Sequence, residues 1–186
     1  KDILTLENIK NSAKLLKLLK MIAFQTGNLV SYSELGRNLS MSKNTVERYL
    51  DLLTKVFILY KLEGFSRNLR KELTKSSKWY FFDNGIRNAI LANFNHLENR
   101  NDKGILWENY AISGRIKFQH NSRMVVNNYF WRTYDKQEID FVEERDGSLY
   151  GFEVKFSRKK AKAPASWSGN YQNSEFNVIT PENFFE

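Results

Sequence analysis

Two short runs near the C-terminal end of the chain carry residues that suit chemistry on a phosphate ester. They are predicted as the two strands of a hairpin that turns at Asp146-Gly147, and they span Glu138–Val142 and Gly151–Lys155. Along the second strand, large apolar residues alternate with the others, so one set is expected on a core and the other on the opposite face. The set expected on the core is Tyr150, Phe152, Val154 and Phe156.

The opposite face of this hairpin gathers two carboxylates and a lysine. Glu153 and Lys155 lie on it by alternation, and Asp140 joins them if Ile139 and Phe141 take the buried face of the first strand. Carboxylate oxygens suit a hard divalent metal, and a nearby ammonium suits a scissile phosphate. The alternative is an ordinary hairpin whose outer face is salt-bridged and solvated.

These residues resemble the PD-(D/E)XK nuclease signature. Asp140 matches its aspartate and Glu153-Val154-Lys155 matches its (D/E)-X-K triplet, while Ile139 stands where the named proline would be. The family often has an acidic residue on a preceding helix, and Glu108 matches it. The resemblance implies Asp140, Glu153 and Lys155 as catalytic residues and Mg²⁺ (or Mn²⁺) as the cofactor. Glu108, Asp140 and Glu153 would be the metal ligands, with the Val154 carbonyl as a further one, and Lys155 would position or activate the attacking water.

Composition narrows the class of protein. The 186 residues suffice for one large or two small domains, and 29 Lys+Arg against 21 Asp+Glu give a net charge of +8, which favours a polyanionic partner. The chain has no cysteine, which excludes disulfides and cysteine-ligated zinc and fits a cytoplasmic protein. No apolar run approaches the roughly 20 residues of a membrane span, so no membrane partner is expected. Because the sequence starts at Lys1 in mid-pattern, we expect a fragment of a longer protein.

The N-terminal third has the pattern of a winged helix-turn-helix. A first helix carries leucines at helical spacing until Gly27, a capping box at Ser31–Glu34 begins a second, and Ser42 begins a third. The strand-like segment Phe57–Tyr60 and a return strand at Trp79–Phe82 would form the wing.

In a DNA-binding winged helix the third helix enters the major groove and the wing contacts phosphates. The predicted DNA-binding residues on the helix and the wing are Lys43, Asn44, Arg48, Arg67, Arg70, Lys71, Lys75 and Lys78. The acidic residues Glu47 and Asp51 on the same helix are expected to weaken its binding to DNA phosphates. The alternative is that this unit docks another protein domain.

The polar stretch from Asn93 to Lys103 predicts a domain boundary, which gives a winged-helix domain over 1–95 and a nuclease-like domain over 96–186. In the second domain a helix at 105–118 precedes strands at 124–126, 128–132, 138–143, 149–156 and 176–180. Asp83 is expected to cap a helix rather than act as an acid, and Pro164 to prevent a long helix. The predicted fold class is α+β or α/β: a winged helix-turn-helix followed by a restriction-endonuclease-like mixed sheet flanked by helices.

Taken together, the two halves resemble the C-terminal region of a broad family of bacterial and archaeal AAA-type ATPases. Five blocks in order carry the resemblance: Ser40–Leu50, Lys78–Gly85, Leu106–Tyr110, Tyr129–Arg132 and the strand pair Glu138–Val142 with Phe152–Lys155. The resemblance implies an N-terminal ATPase module of the same protein as a partner. The chain has no G-x-x-x-x-G-K-[ST], so no ATP is expected to bind it.

The favoured function is therefore a metal-dependent nuclease acting on DNA. The alternatives are a catalytically inactive DNA- or protein-binding module that couples the ATPase to a partner, and a structural lid on the ATPase.

Overall fold

The computed structural model describes residues 12–67, 76–157 and 161–184. The helices in these ranges are α1 Ser12–Phe24, α2 Tyr32–Leu39, α3 Lys43–Lys55, α4 Asn84–Leu91, α5 Lys103–Asn121 and α6 Ala165–Asn170, with a 3₁₀ turn at Leu97–Asn99. The strands are β1 Leu29–Val30, β2 Leu59–Gly64, β3 Ser77–Phe81, β4 Asn127–Arg132, β5 Glu138–Arg145, β6 Ser148–Val154 and β7 Ser174–Ile179. The mixed α/β class expected from the sequence is confirmed.

The helix boundaries in the N-terminal half follow local capping chemistry. Gly27 lies beyond the end of α1 with φ +76°, Ser31 accepts a hydrogen bond from Glu34 N–H, and Ser42 accepts one from Thr45 N–H. The Asp83 carboxylate accepts a hydrogen bond from Gly85 N–H at 2.6 Å, which confirms its role as the N-cap of α4. Leu15, Leu18 and Leu19 of α1 pack with residues of α2 and α3 into one apolar cluster.

All seven strands belong to one mixed sheet in the order β1-β3-β2-β4-β5-β6-β7. β2 and β3 pair antiparallel, and β2 pairs with β4 in parallel through Glu63–Tyr129 and Gly64–Phe130. Strands from before and after the predicted boundary therefore share one sheet. The division at residues 95 and 96 stays a prediction.

Helix α5 is tied to β3 by the side chain of Asn109. This fully buried amide accepts a hydrogen bond from Phe81 N–H at 2.7 Å and donates to Phe81 C=O at 2.9 Å. It also donates to the Asn84 side chain at 2.9 Å. The buried N–H and C=O groups of Phe81 therefore find their hydrogen-bond partners in a side chain of α5. This fixes the position of α5 over the sheet.

The polar stretch before α5 is held by an ion-pair network. Asp102 accepts hydrogen bonds from Arg87 at 2.7 Å and from Arg100 at 2.8 Å. The bonds from Arg100, followed by those from Arg87, hold the pKa of the Asp102 carboxyl well below its usual range. The predicted boundary is thus an ordered connection between α4 and α5.

Both faces of the β4–β6 region are covered, whereas a single buried face was expected. On one face Phe130, Phe141 and Val154 pack under α5. On the other face Trp131, Ile139, Val142 and Leu149 pack under α6, against Trp167 and Tyr171. The sheet is buried on both sides because α6, a short helix for which the sequence analysis gave no prediction, covers the second face. Pro164 is the residue before this helix, a position at which proline costs no helical hydrogen bond.

Three further expectations are wrong. The strand predicted at 124–126 is an irregular connection in which the side chain of Val125 is 93% exposed. Phe156 lies beyond the end of β6 and is exposed, and Tyr150 is only half-buried. Val125 and Phe156 were assigned to strands because they are apolar, which does not decide where a strand ends. Tyr150 was assigned to the core by alternation, and it lies within β6.

Among the described helices, none is both long enough and apolar enough to cross a lipid bilayer.

Candidate functional site

Asp140 lies at a β-bulge on β5. Tyr129 of β4 pairs with Val142, and Trp131 pairs with Ile139, so two residues of β5 stand opposite one residue of β4. Such a bulge re-aims side chains. It places Ile139 and Phe141 in different apolar clusters, although alternation predicted one shared buried face. The Asp140 carboxylate accepts the Val154 N–H at 3.0 Å, which holds it against β6.

Glu153 and Lys155 lie at the end of β6, beside Asp140. The Lys155 ammonium donates to the Glu153 carboxylate, and Lys155 N–H donates to Ile179 C=O on β7 at 2.9 Å. Burial and then the negative charge of Asp140 raise the pKa of Glu153, against the opposing effect of Lys155. The three residues expected to be catalytic are therefore brought together.

Glu108 reaches the same cluster from α5. The Tyr80 hydroxyl donates to Glu108 Oε1 at 2.7 Å. Gly27 leaves the space for this carboxylate, since a Cβ at Gly27 would lie 2.7 Å from Oε1. Burial and then the charge of Asp140 raise the pKa of Glu108 to about 7, although Lys78 and the Tyr80 hydrogen bond act in the opposite direction.

Lys78 is a member of this cluster that the sequence interpretation placed elsewhere. Its side chain is 3% exposed, and its Nζ lies 2.5 Å from Glu138 Oε1 and 3.7 Å from Asp140 Oδ1. Burial would lower the pKa of Lys78, but the charges of Asp140, Glu108 and Glu138 outweigh it and raise the pKa. The expectation that Lys78 contributes to an exposed, DNA-binding wing is wrong, because its ammonium is buried against carboxylates.

Tyr80 was also missed. Lys78 and Tyr80 are two residues apart on β3, so they share one face of the strand. Burial and the charge of Glu108 raise the pKa of Tyr80 well above its usual value. A lysine directly before the aromatic run Trp79–Phe82 was the available signal, because a lysine that begins a buried aromatic strand is expected to need a carboxylate partner.

In the part of the chain that the structure describes, the cluster holds one more acid than it holds cations. Its carboxylates are Glu108, Glu138, Asp140 and Glu153, and its cations are Lys78, Lys155 and Arg132, which lies 3.0 Å from Glu138 Oε2. Among the described residues four carboxylates therefore share three cations. Burial, and then the negative charge of Asp140, raise the pKa values of Glu108 and Glu153.

The oxygen donors suit a hard cation in kind, but they are already engaged. Asp140, Glu153 and Glu108 accept hydrogen bonds from Val154 N–H, Lys155 and Tyr80. Within residues 12–67, 76–157 and 161–184, no three His, Cys, Asp or Glu side chains form a group that could hold a metal ion. A cation at Asp140 would therefore have to share or displace a protein donor.

The residues expected to contact DNA are placed in three ways. Lys43, Asn44 and Arg48 are exposed on α3. Arg67 is exposed beyond β2, and its guanidinium lies 3.4 Å from the Glu144 carboxylate. Arg70, Lys71 and Lys75 lie outside the described residues.

The fold and the cluster define a mixed α/β protein with a buried set of acids and lysines under a long helix. The chain belongs to the family described as a domain of unknown function, DUF8612, whose family model matches residues 1–97. A second domain of unknown function, DUF4143, matches residues 103–179, and this domain is often found with AAA ATPase-like proteins.

Curated relatives are uncharacterised bacterial proteins. One from Mycobacterium tuberculosis and one from Mycobacterium bovis are each 33% identical over 139 residues, covering 73% of this chain and 30% of the relative. One from Haemophilus influenzae is 25% identical over 166 residues, covering 83% of this chain and 37% of the relative. The chain thus spans about a third of the length of these relatives. No solved structure matches it.

Proposed function

We propose that this chain is a nuclease-like module that hydrolyses phosphodiester bonds of DNA with a divalent cation. One observation carries the proposal: Glu108 of α5, Asp140 of β5, and Glu153 and Lys155 at the end of β6 converge in one cluster. Burial and then the charge of Asp140 raise the pKa values of Glu108 and Glu153 there. Carboxylates that repel one another cost stability, and such clusters are concentrated at functional sites.

The element order supports the finer fold that this function needs. Three helices followed by the β2–β3 antiparallel pair support a winged helix, and α5 followed by β4, β5 and β6, with β7 parallel to β6, supports a PD-(D/E)XK-like core. The acids lie where β5 and β6 meet, under α5. We infer that the two units form the C-terminal part of an AAA-type ATPase, located in the cytoplasm.

In this proposal Asp140 and Glu153 would hold Mg²⁺ or Mn²⁺, with Glu108 completing the acidic shell. When bound, the cation would supply charge stabilisation on the phosphate oxygens and a more acidic water. Val154 N–H keeps Asp140 in place, and Tyr80 keeps Glu108 in place. Lys155 would position the attacking water and stabilise charge on the phosphate oxygens, a contribution of about 10²–10³ in rate for comparable single interactions.

The test is cleavage of single- and double-stranded DNA with Mg²⁺ or Mn²⁺. We expect slow cleavage that Asp140→Asn and Lys155→Ala each reduce by about 10²–10³, while the exposed controls Asp135→Asn and Lys117→Ala retain it. Circular dichroism must show that all four variants are folded. The assay is repeated with the longer ATPase-containing protein, whose additional part could contribute DNA-binding contacts. Cleavage that survives Lys155→Ala unchanged would indicate a contaminating nuclease.

The proposed DNA-binding surface is the exposed face of α3. Lys43 and Arg48 are exposed there, as is Asn44, and Asn44 and Arg48 are four residues apart on one face. Duplex DNA binding is expected to be weak and to fall steeply with salt. Removing Lys43 and Arg48 should reduce the slope of log K against log salt by about 0.9 for each phosphate that is no longer neutralised. Binding that does not depend on salt would instead favour protein docking by this helix.

A second candidate is a catalytically inactive module that couples the ATPase to a DNA or protein partner. The observation that favours it is the internal neutralisation of the acids: Lys78 lies between Glu138 and Asp140, and Lys155 pairs with Glu153. Absence of cleavage by both the 186-residue chain and the longer protein, across metals and substrates, would support this candidate.

A further inference from the structure

Lys78 enters the acid cluster from the opposite half of the chain. Its ammonium lies 2.5 Å from Glu138 Oε1 and 3.7 Å from Asp140 Oδ1, and its side chain is 3% exposed. Its Nζ also lies 5.6 Å from the centre of the Phe130 ring, so an aromatic face completes its surroundings. Lys78 belongs to β3, whereas both of its carboxylate partners belong to β5.

An ammonium in this position supplies the positive charge that a bound metal ion would otherwise supply to the carboxylates. A buried carboxylate needs a positive partner, and Lys78 provides it to Asp140 from within the protein. A divalent cation bound to the same carboxylate would be strongly repelled by an ammonium a few ångströms away. Lys78 and a metal ion therefore compete for Asp140.

We propose that Lys78 is an internal counter-ion that occupies the cation position beside Asp140 and sets the affinity of the cluster for divalent metal. The inference rests on the proposed function, because it concerns the cation of the same site. It accounts for the position of the Lys78 ammonium, which lies 3.7 Å from Asp140 Oδ1 on a side chain that is 3% exposed. It also means that the β2–β3 unit of the N-terminal half supplies a residue that controls the acids of the C-terminal half.

The test is a Mn²⁺ titration of the full 186-residue chain by isothermal calorimetry and by the disappearance of the free Mn²⁺ electron spin resonance signal. Lys78→Met removes the charge and keeps the length of the side chain. We expect it to bind Mn²⁺ at least about ten-fold more tightly than the unaltered chain, because the competing charge is gone. Lys78→Arg keeps the charge and should bind as weakly as the unaltered chain.

Two further variants locate the effect. Lys61→Met is the matched control, since Lys61 is also a lysine of the sheet with a glutamate, Glu63, at 2.5 Å, but lies outside the acid cluster. It should leave Mn²⁺ affinity unchanged. Adding Asp140→Asn to Lys78→Met should abolish the gain. Equal affinity of Lys78→Met and the unaltered chain, or a gain that survives Asp140→Asn, would overturn the proposal.

Removing a buried ammonium also destabilises the protein, and this gives a second measurement. Mn²⁺ should raise the Tm of Lys78→Met more than that of the unaltered chain, because ligands that bind only the folded state stabilise it. If Lys78→Met is unfolded without metal, Mn²⁺ should restore its folded circular dichroism spectrum. The same should hold for Lys78→Gln. If Mn²⁺ restores neither variant, a metal ion cannot take the place of the Lys78 ammonium and the proposal is refuted.

The two proposals fail in different ways. Tighter Mn²⁺ binding by Lys78→Met, without DNA cleavage by the 186-residue chain or by the longer protein, would refute the nuclease and leave the counter-ion role standing. Metal-dependent cleavage by the unaltered chain, with the same Mn²⁺ affinity in Lys78→Met, would support the nuclease and refute the counter-ion role.

Discussion

Two charged clusters lie along the same helix and the same strand, and they are built on opposite principles. Toward the start of α5, Glu108 meets Asp140 of β5 in the acid cluster. Farther along α5, Arg115 and Gln119 meet Glu143 of β5, which is fully buried. Both clusters bury carboxylates between the helix and the sheet, so the difference between them does not come from burial alone.

The Glu143 cluster surrounds one acid with donors. Arg115 pairs with both of its carboxylate oxygens, Arg145 lies 3.2 Å from Oε2, and Gln119 donates to Oε1 at 2.8 Å. Burial would raise the pKa of Glu143, but these partners, with Arg115 the strongest, lower it. The arrangement is that of a structural ion pair.

In the acid cluster the pKa values of Glu108 and Glu153 rise instead, first because of burial and then because of the charge of Asp140. The same helix and strand surround Glu143 with donors, whereas Glu108 and Glu153 are each repelled by the charge of Asp140. Unbalanced acids of this kind are what a bound cation or a proton would relieve. The comparison therefore separates an ion-pair network that holds the fold together from the acid cluster, at which we propose that a cation binds.

The largest expected effect is on the structural side of this comparison. Glu143→Ala removes the shared partner of Arg115 and Arg145, and we expect it to lower the free energy of unfolding by about 3–5 kcal/mol, as for other broken buried pairs. Glu144→Ala, the next residue and partner of exposed Arg67, should cost at most about 1 kcal/mol. Urea unfolding at pH 7 measures both. Similar losses for the two variants would show that the Glu143 network adds little.

The second prediction concerns the acid cluster and has the opposite sign. The pKa of Glu108 rises from 4.5 to about 7 in the folded state, so the folded chain retains a proton that the unfolded chain has released. Stability is therefore lost as the pH rises between these two values. Glu108→Gln, which can still accept the Tyr80 hydrogen bond, should be more stable than the unaltered chain at pH 8, by on the order of 2 kcal/mol. At pH 5 the two should be similar.

Thermal unfolding at pH 5 and pH 8 tests this prediction, with the exposed Glu98→Gln as the control. The control should follow the unaltered chain at both pH values. If Glu108→Gln also does so, Glu108 is not held in a repulsive site and the contrast between the two clusters disappears.

Much of the local structure follows from the sequence, because it depends on nearby residues. The caps at Ser31, Ser42 and Asp83 and the turn at Asp146-Gly147, where both residues have positive φ, are read from side chains within a few positions. The hairpin register is also local, and it brings Asp140 next to Glu153 after the Phe141–Phe152 pair.

The remaining features depend on contacts between distant segments. The bulge at Asp140 arises from pairing with β4, and alternation within β5 cannot reveal it. Lys78 and Tyr80 reach the acids only because β2 pairs in parallel with β4, which puts β3 in the same sheet as β5. A single sequence gives no measure of that pairing, so Lys78 was assigned to an exposed basic wing.

The smallest effect we predict tests where the Glu108 carboxylate lies. Gly27 and Gly147 have nearly the same φ, +76° and +74°, so an alanine at either position suffers similar backbone strain. A Cβ at Gly147 meets nothing within 4 Å, whereas a Cβ at Gly27 would lie 2.7 Å from Glu108 Oε1. Gly27 N–H also donates to Trp79 C=O at 3.1 Å, which limits relaxation of the backbone. Gly27→Ala should therefore cost about 1 kcal/mol more than Gly147→Ala.

A double-mutant cycle assigns that difference to Glu108. In a Glu108→Ala background the carboxylate is gone, so Gly27→Ala should cost no more than Gly147→Ala, whose own cost should be unchanged. Urea midpoints at pH 7 resolve a coupling of about this size when the slopes of the transitions agree. If Gly27→Ala costs the same in both backgrounds, the Glu108 carboxylate does not lie against Gly27. Helix α5 would then not place an acid beside Asp140, and the contrast between the acid cluster and the Glu143 cluster would be lost.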